Sequence, residues 1–423
     1  MELIQNFKEI LEDIYGNDWN EHVVQLKRYN NLFELFNKHF DEKDVYIFST
    51  PGRTEISGNH TDHNLGKVLA ASINLDSILI ASKNNSSEII LYSEGYDKPF
   101  KVNINELFKI NTEEGTTSSL IKGIAYKIKE LGFKLGGFNA FMTSNVLPGS
   151  GLSSSASVEV LIGSVFNVLF NENKIDNKEI AKIGQWAENN YFGKPCGLMD
   201  QMACALGGII SIDFEDPQNP NIEKVDYNFD KQNYKLLIVD TGGSHADLTN
   251  DYASIPNEMK LIAKFFHKNV CREINYSEFL NEIKEIRKTT GDRAILRAFH
   301  FLKENERVHN QFNALQKKDF NQFLKLVNDS GNSSFKWLQN IYSTQNVKEQ
   351  GVSLALALTE EFISTKGEGA CRVHGGGFAG TIQVFLHNDY VSEYKNFIET
   401  IFGKGKAQIL KIRSKGSICL NNY

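Results

Sequence analysis

The stretch Thr50–Asn64, TPGRTEISGNHTDHN, packs an Arg, a Glu, two His, an Asp and two Asn into fifteen residues. Such side chains can ligate a metal, cradle a polyhydroxylated substrate or line a polar loop. A metal would need a third and fourth ligand beside His60, Asp62 and His63, and none is apparent. A second stretch, VLPGSGLSSSASVEV (Val146–Val160), sets glycines and serines between a strand-like segment and an amphipathic helix. Composition alone also allows a flexible linker, but strand, glycine turn and helix N-terminus together make a phosphate-binding geometry, with free amides and a favourable dipole. Gly149 and Gly151 allow close backbone approach. Ser153, Ser154 and Ser155 can cap the helix, bond phosphate oxygens or ligate Mg²⁺. It is not a Walker A loop, because no Gly-Lys pair has a Gly five residues before it.

HGGGFAG (His374–Gly380) formally contains G-x-G-x-x-G, but the strand-like TIQVFL follows where a dinucleotide site needs a helix. A tight glycine turn packed beside another loop is the expected role. In AENNYFGKPCGLMDQMACALGG (Ala187–Gly208), Asp200 lies between Leu198-Met199 and Met202-Ala203. A single Asp is usually a surface carboxylate, but one in an apolar run needs a partner or a chemical task.

The elements that position these stretches read as mixed. Helical spacing covers the first 40 residues, through Phe7, Ile10, Leu11 and Ile14 and then Leu32, Leu35 and Phe36. DVYIFST reads as a strand ending at Pro51-Gly52, because the polarity that follows is not expected inside a strand. KVLAASINLDSILIAS, SEIILYS and FKLGGFNAFMTSNVL read as strands, and SLIKGIAYKIKEL as a helix. The helix after the serines shows one apolar face, Val158, Leu161, Ile162, Val165 and Leu169. PQNPN (Pro217–Asn221) marks a loop and the expected domain boundary. YKLLIVDTG reads as a buried strand, 257–345 as mostly helical, 351–364 as a helix, and CRVHGGGFAGTIQVFL and AQILKIR as strands. The fold class expected is α+β, in two domains, 1–213 and 214–423.

The chain has 423 residues, enough for two domains, and a net charge of −6, which argues against nucleic acid as a partner. Its five cysteines are scattered and never spaced C-x-x-C, which fits a reducing cytoplasm and not a disulfide framework. No signal peptide and no apolar run of membrane-spanning length are expected.

In this order the motifs resemble the GHMP family of small-molecule kinases, and within it the galactokinases. The first stretch is similar to the galactokinase pattern P-G-R-x-N-x-I-G-E-H-T-D-Y-N. PGSGLSSSAS resembles the ATP loop, CGLMDQ the segment with the catalytic aspartate, and HGGGFAG the third glycine motif. RAFHFLKENERV (Arg297–Val308) resembles the helix R-A-x-H-x-x-x-E-N-x-R-V. The likeness runs from about residue 45 onward. It implies a two-domain fold of mixed sheets packed against helices, with the active site in the cleft between domains.

It also implies transfer of the ATP γ-phosphoryl to the C1 hydroxyl of galactose. Asp200 falls on the catalytic base and Arg53 on its charge-stabilising partner. An Arg there should lower the Asp pKa. Asn59, His60, Asp62, Gly197 and Tyr252 fall on sugar contacts. Pro148, Gly149, Ser150, Gly151, Leu152, Ser153, Ser154 and Ser155 fall on the ATP loop, and Ser155 and Glu188 on the Mg²⁺ ligands. The resemblance makes the opening stretch a sugar cradle.

Several positions depart from the family. Asn59 stands where galactokinases carry a Glu expected to hold the C6 hydroxyl. Glu55 replaces Asn, His63 replaces Tyr, Ala70-Ala71 replace Leu-Pro, and NDYASIPNEM keeps Tyr252 without the usual Arg pair. Three readings therefore stand: a galactokinase, a GHMP kinase for N-acetylgalactosamine, arabinose or galacturonate, or a catalytically silent sugar sensor. The oligomeric state is left open, a monomer included.

Overall fold

The computed structural model describes residues 7–146, 151–243 and 248–422. Among them, one sheet has eight strands and a second has four. The first is built on β1 (Tyr46–Ser57), β2 (Lys67–Lys83), β3 (Glu88–Ser93), β4 (Phe100–Asn103) and β5 (Phe138–Ser144), in the order β1-β2-β5-β3-β4. The 17-residue β2 is long enough to pair β5 over Ser77–Lys83 and β6 (Ile209–Asp213) over Lys67–Ala71. The 217–221 turn leads from β6 to β7 (Asn221–Val225), which pairs it antiparallel, so the first sheet continues past residue 213.

One face of this sheet is covered by α3 (Thr117–Glu130), α4 (Ser154–Asn171), α5 (Asn177–Ala187) and α6 (Met199–Leu206). The other face carries α1 (Phe7–Tyr15) and α2 (Trp19–His39), whose Ile10, Leu11, Ile14, Leu32 and Phe36 are buried against Ile78, Ile80 and Phe141. Asp18 caps α2 by accepting the Asn20 amide.

The second half contributes β8 (Tyr234–Asp240), α7 (Thr249–Phe265), α8 (Tyr276–Thr290), α9 (Asp292–Gln316), α10 (Phe320–Ser333) and α11 (Gly351–Lys366). It continues with β9 (Gly369–His374), β10 (Thr381–His387), α12 (Asn388–Phe402), β11 (Ala407–Leu410) and β12 (Ile418–Cys419). The second sheet runs β11-β8-β10-β9. In β8, Leu236 and Ile238 share a core with Phe323 of α10, while Leu237 and Val239 share one with Ala355 of α11. Alternate side chains thus enter two cores, which explains the unbroken apolar run LLIV. β12 returns to the first sheet and pairs β1 at Phe48↔Cys419. The α+β expectation holds.

Three details differ from the sequence reading. β1 does not stop at Pro51-Gly52; it runs on to Ser57, with register shifts between Pro51 and Arg53 and between Glu55 and Ser57. Bulges let the proline and the polar residues stay in the strand. α4 is buried on nearly every side, Val160, Phe166 and Leu169 included, and not along one face. By length and composition it is the one helix among the described residues able to cross a membrane, but 72% of it is buried inside the fold. α12, which the reading missed, buries Val391, Tyr394 and Ile398 at helical spacing.

Candidate functional site

Asp200 stands in the first turn of α6, where the helix dipole favours a carboxylate. Its neighbours Met199, Met202 and Ala203 go into the core, which explains the apolar run around it. Arg53 reaches it from the bulged part of β1. Arg53 Nε donates to Asp200 Oδ1 and Nη2 to Oδ2, both at 2.7 Å. Ser153 Oγ donates to Oδ2 as well, and Arg53 Nη1 donates to the Gly151 carbonyl. Burial pushes the Asp200 pKa up, but the charge and hydrogen bonds of Arg53 outweigh it and hold it below the usual carboxylate value.

The glycine- and serine-rich turn crosses β1 at Gly52. A β-carbon there would lie 2.8 Å from the Leu152 carbonyl oxygen. Arg53 N donates to that carbonyl at 3.0 Å, so the bulge exchanges a sheet hydrogen bond for one to the turn. Leu152 is buried beneath it, and Ser153 is left-handed at φ +60°. Ser153 does not cap α4, and its hydroxyl goes to Asp200 instead. Ser154 and Ser155 open the helix. Pro148, Gly149 and Ser150 lie outside the described residues.

Glu188 begins a π-turn, Glu188–Phe192, directly after α5. Its Oε1 accepts from Ser155 Oγ at 3.2 Å and from Lys194 Nζ at 3.2 Å. Gln201 Nε2 bridges Glu188 Oε2 at 3.0 Å and Glu159 Oε2 at 2.9 Å. Burial and then the Glu188 charge push Glu159 well above the ordinary carboxylate range. Among the described residues, no three His, Cys, Asp or Glu form a cage for a metal. A hydroxyl beside a carboxylate nevertheless suits Mg²⁺, which keeps waters and phosphate oxygens as its other ligands.

The stretch after β1 turns back against HGGGFAG, which is the β9–β10 hairpin turn and not a strand–helix fingerprint. His60 Nε2 donates to the Gly376 carbonyl at 2.9 Å. Burial, helped by His63, lowers the His60 pKa to about 3, so the ring is neutral. Asp62 and Gly197 meet closely, since a β-carbon on Gly197 would lie 1.9 Å from Asp62 Oδ2. Tyr252 Oη donates to the Gly377 carbonyl at 2.9 Å, and its ring meets Phe378 edge-on.

Asn59 sits in the wall with 1% exposure. Its Nδ2 donates to Glu55 Oε1 at 3.0 Å and to the Gly375 carbonyl at 2.6 Å, and its Oδ1 accepts from Asn340 Nδ2 at 2.6 Å. Both polar atoms of the amide are thus spent on protein. Glu55 in turn pairs with buried Arg372, and His374 accepts the Glu55 amide.

The structure therefore gathers Arg53, Asp200, Gly151, Ser153 and, beside them, Ser155 and Glu188. His60, Asp62, Gly197 and Tyr252 collect next to the glycine hairpin. Glu159, Gln201, Asn340 and Arg372 were missed. Glu159 had a signal, because it lies four residues after Ser155 on one helix face. A separate groove of about 620 Å³, lined by Tyr15, Lys224, Tyr227 and Lys411, includes none of the expected site residues.

Comparison with known proteins matches residues 119–208 to the GHMP kinases N terminal domain and residues 34–83 to the galactokinase galactose-binding signature. The chain is 30% identical over 385 residues to the galactokinase of Clostridium tetani, covering 89% of this chain and 92% of that one. To the galactokinase of Actinobacillus pleuropneumoniae serotype 3 it is 29% identical over 373 residues, covering 88% and 93%. The solved structure of Lactococcus lactis galactokinase complexed with galactose superposes with a TM-score of 0.78 at 24% identity, covering 92% and 99%. A mevalonate kinase structure superposes with a TM-score of 0.61 at 19% identity, covering 86% and 98%. With an arginine-held aspartate beside a glycine loop, both family signatures and relatives matched over nearly their whole length, the chain belongs to the galactokinase family of GHMP kinases.

Proposed function

We propose that this protein transfers the γ-phosphoryl of ATP to the C1 hydroxyl of α-D-galactose, giving galactose 1-phosphate and ADP. The observation that carries the reading is Arg53, which holds both oxygens of Asp200 and bonds Gly151 of the phosphate loop. Three donors occupy the carboxylate, one on Oδ1 and two on Oδ2. A carboxylate offers about four acceptor sites, so Oδ1 keeps one for a substrate hydroxyl. Asp200 accepts the hydroxyl proton as the sugar oxygen bonds to the γ-phosphorus and the bond to the β-phosphate oxygen breaks. Ser155 and Glu188 would hold Mg²⁺, which when bound neutralises charge on the phosphate oxygens. The glycine loop, Pro148–Ser155, and the α4 N-terminus seat the phosphates. His60, Asp62, Gly197 and Tyr252 contact the sugar. Five free thiols support a reducing cytoplasm as the setting.

A second reading, a kinase for a C6-altered sugar, is favoured by Asn59, whose amide is committed to Glu55, Gly375 and Asn340. ADP release with Mg-ATP separates the two, using galactose, glucose, arabinose, N-acetylgalactosamine, galacturonic acid and 6-deoxygalactose. Galactose is expected to be turned over best. Preference for a C6-altered sugar would move the second reading forward, and sugar binding without turnover would leave a sensor.

Gly197→Ala tests the sugar pocket directly. The new methyl must displace Asp62, so the sugar KM is expected to rise by about tenfold or more, with the ATP KM little changed. Steady-state kinetics with each substrate varied in turn would show it. An unmoved sugar KM would take Asp62 out of the pocket.

A further inference from the structure

Among the described residues, the hydrogen bonds and ion pairs of the α9 segment RAFHFLKENERV go elsewhere than to Arg53, Ser155, Glu188 or Asp200, and one face of it grips the turn that carries His60 and Asp62. That turn holds unusual backbone: Gly58 has φ +97° and His60 φ +56°. A residue with a β-carbon stays left-handed only where its surroundings hold it. Within the turn, Thr61 Oγ1 donates to the Gly58 carbonyl at 2.8 Å. The glycine hairpin holds the side chains of Asn59 and His60, and α9 holds the backbone of Gly58 and Asn59. Glu304 Oε1 accepts the Gly58 amide at 3.1 Å and the Ser57 hydroxyl at 2.9 Å. His300 Nε2 lies 2.9 Å from the Asn59 carbonyl oxygen, which can only accept, so Nε2 carries the proton. Nδ1 then accepts from Ser333 Oγ at 2.8 Å, which fixes that tautomer. His300 and Glu304 are fully buried and one helical turn apart, on the same face of α9. Arg307 pairs with Glu304 from the following turn.

We propose that His300 and Glu304 are positioning residues for the sugar, acting through the backbone of Gly58 and Asn59 to aim His60 and Asp62, and not through the ATP site. The inference rests on the sugar-kinase reading above. Donors and acceptors spaced four residues apart on a rigid helix set the turn from outside. A shift of about 1 Å there would weaken sugar capture with no equivalent effect on ATP.

The test compares His300→Asn, whose amide is too short to reach Asn59, with His300→Gln, whose amide nitrogen can replace Nε2. His300→Asn is expected to raise the galactose KM about tenfold, with the ATP KM within about twofold of the unmodified protein. His300→Gln is expected to return the galactose KM to within about threefold. Thermal unfolding is recorded for each variant. If His300→Asn does not fold, Ser333→Ala removes the donor that seats the ring at Nδ1, loosens its hold on Asn59 and should still raise the sugar KM alone. A parallel rise in both KM values would overturn the proposal, as would an unmoved sugar KM or a His300→Gln variant no better than His300→Asn. No turnover of any sugar by the unmodified protein would instead sink the kinase reading itself.

Discussion

Asp200→Asn is expected to lower kcat by about 10³-fold or more while leaving the galactose dissociation constant within about threefold. General-base catalysis contributes on the order of 10²–10⁴ to rate. The amide cannot accept the hydroxyl proton, yet it matches the carboxylate in shape. Arg53 keeps its bond to the Gly151 carbonyl, at the end of the proposed phosphate loop. His60 and Tyr252, the proposed sugar contacts, bond the glycine hairpin and not Asp200. The variant should still lose stability, because buried Arg53 loses its counter-charge. Coupled ADP-release kinetics and calorimetric titration of galactose without ATP measure the two halves separately. Turnover surviving to within about tenfold would mean that another group takes the proton.

The second large effect is on folding. Asp76, at 0% exposure in β2, is held by two arginines from distant parts of the chain. Arg28 of α2 pairs with its carboxylate and donates to its carbonyl at 2.7 Å. Arg413 lies 3.2 Å away, and Tyr15 of α1 donates to the carboxylate at 2.6 Å. Burial raises the Asp76 pKa, but the two arginines and the hydrogen bonds outweigh it and leave it lowered. A carboxylate with a lowered folded pKa stabilises the fold above its unfolded pKa, and the contribution is lost as pH falls through the folded value. Removing one partner of a buried ion pair costs about 3–5 kcal/mol. Asp76→Ala strands two buried guanidinium groups, so a loss at the upper end of that range is expected. Urea unfolding near neutral pH would measure it, and a loss under about 1 kcal/mol would mean that the arginines find water.

What the sequence shows of the site follows from how local each signal is. Asp200, the serine turn and the glycine hairpin stand in short runs whose residue types are unusual within a few positions, and these are legible even though their partners lie far off. The polar half of β1 was not. Thr54 and Glu55 are tolerable in a buried strand only because His374, Gln383 and Arg372, all more than 300 positions away, satisfy them. Without those partners the same residues read as a loop. α4 misled for the opposite reason. Its large apolar residues mark one face, while glycine and serine on its other faces also pack into the core. Asn59 could be assigned to the cleft but not oriented, because orientation depends on Asn340, on the far side of the chain.

The strand that carries Arg53 is completed late. β12 pairs Phe48 and Ser49 on the outer edge of β1, and Asn421 accepts the Ile47 amide from 374 positions away. Arg413 also reaches Ser49 in the same strand. At about 5–20 residues per second, a ribosome needs on the order of 20–75 s to make the intervening chain. For that interval the outer edge of β1 has no strand of its own to pair with, and an open edge is a template for pairing with other chains. Slowing translation lengthens the exposure, while holdase chaperones that mask strand edges shorten its consequences. The yield of folded enzyme should therefore depend on the pace of synthesis as well as on the stability of the finished fold.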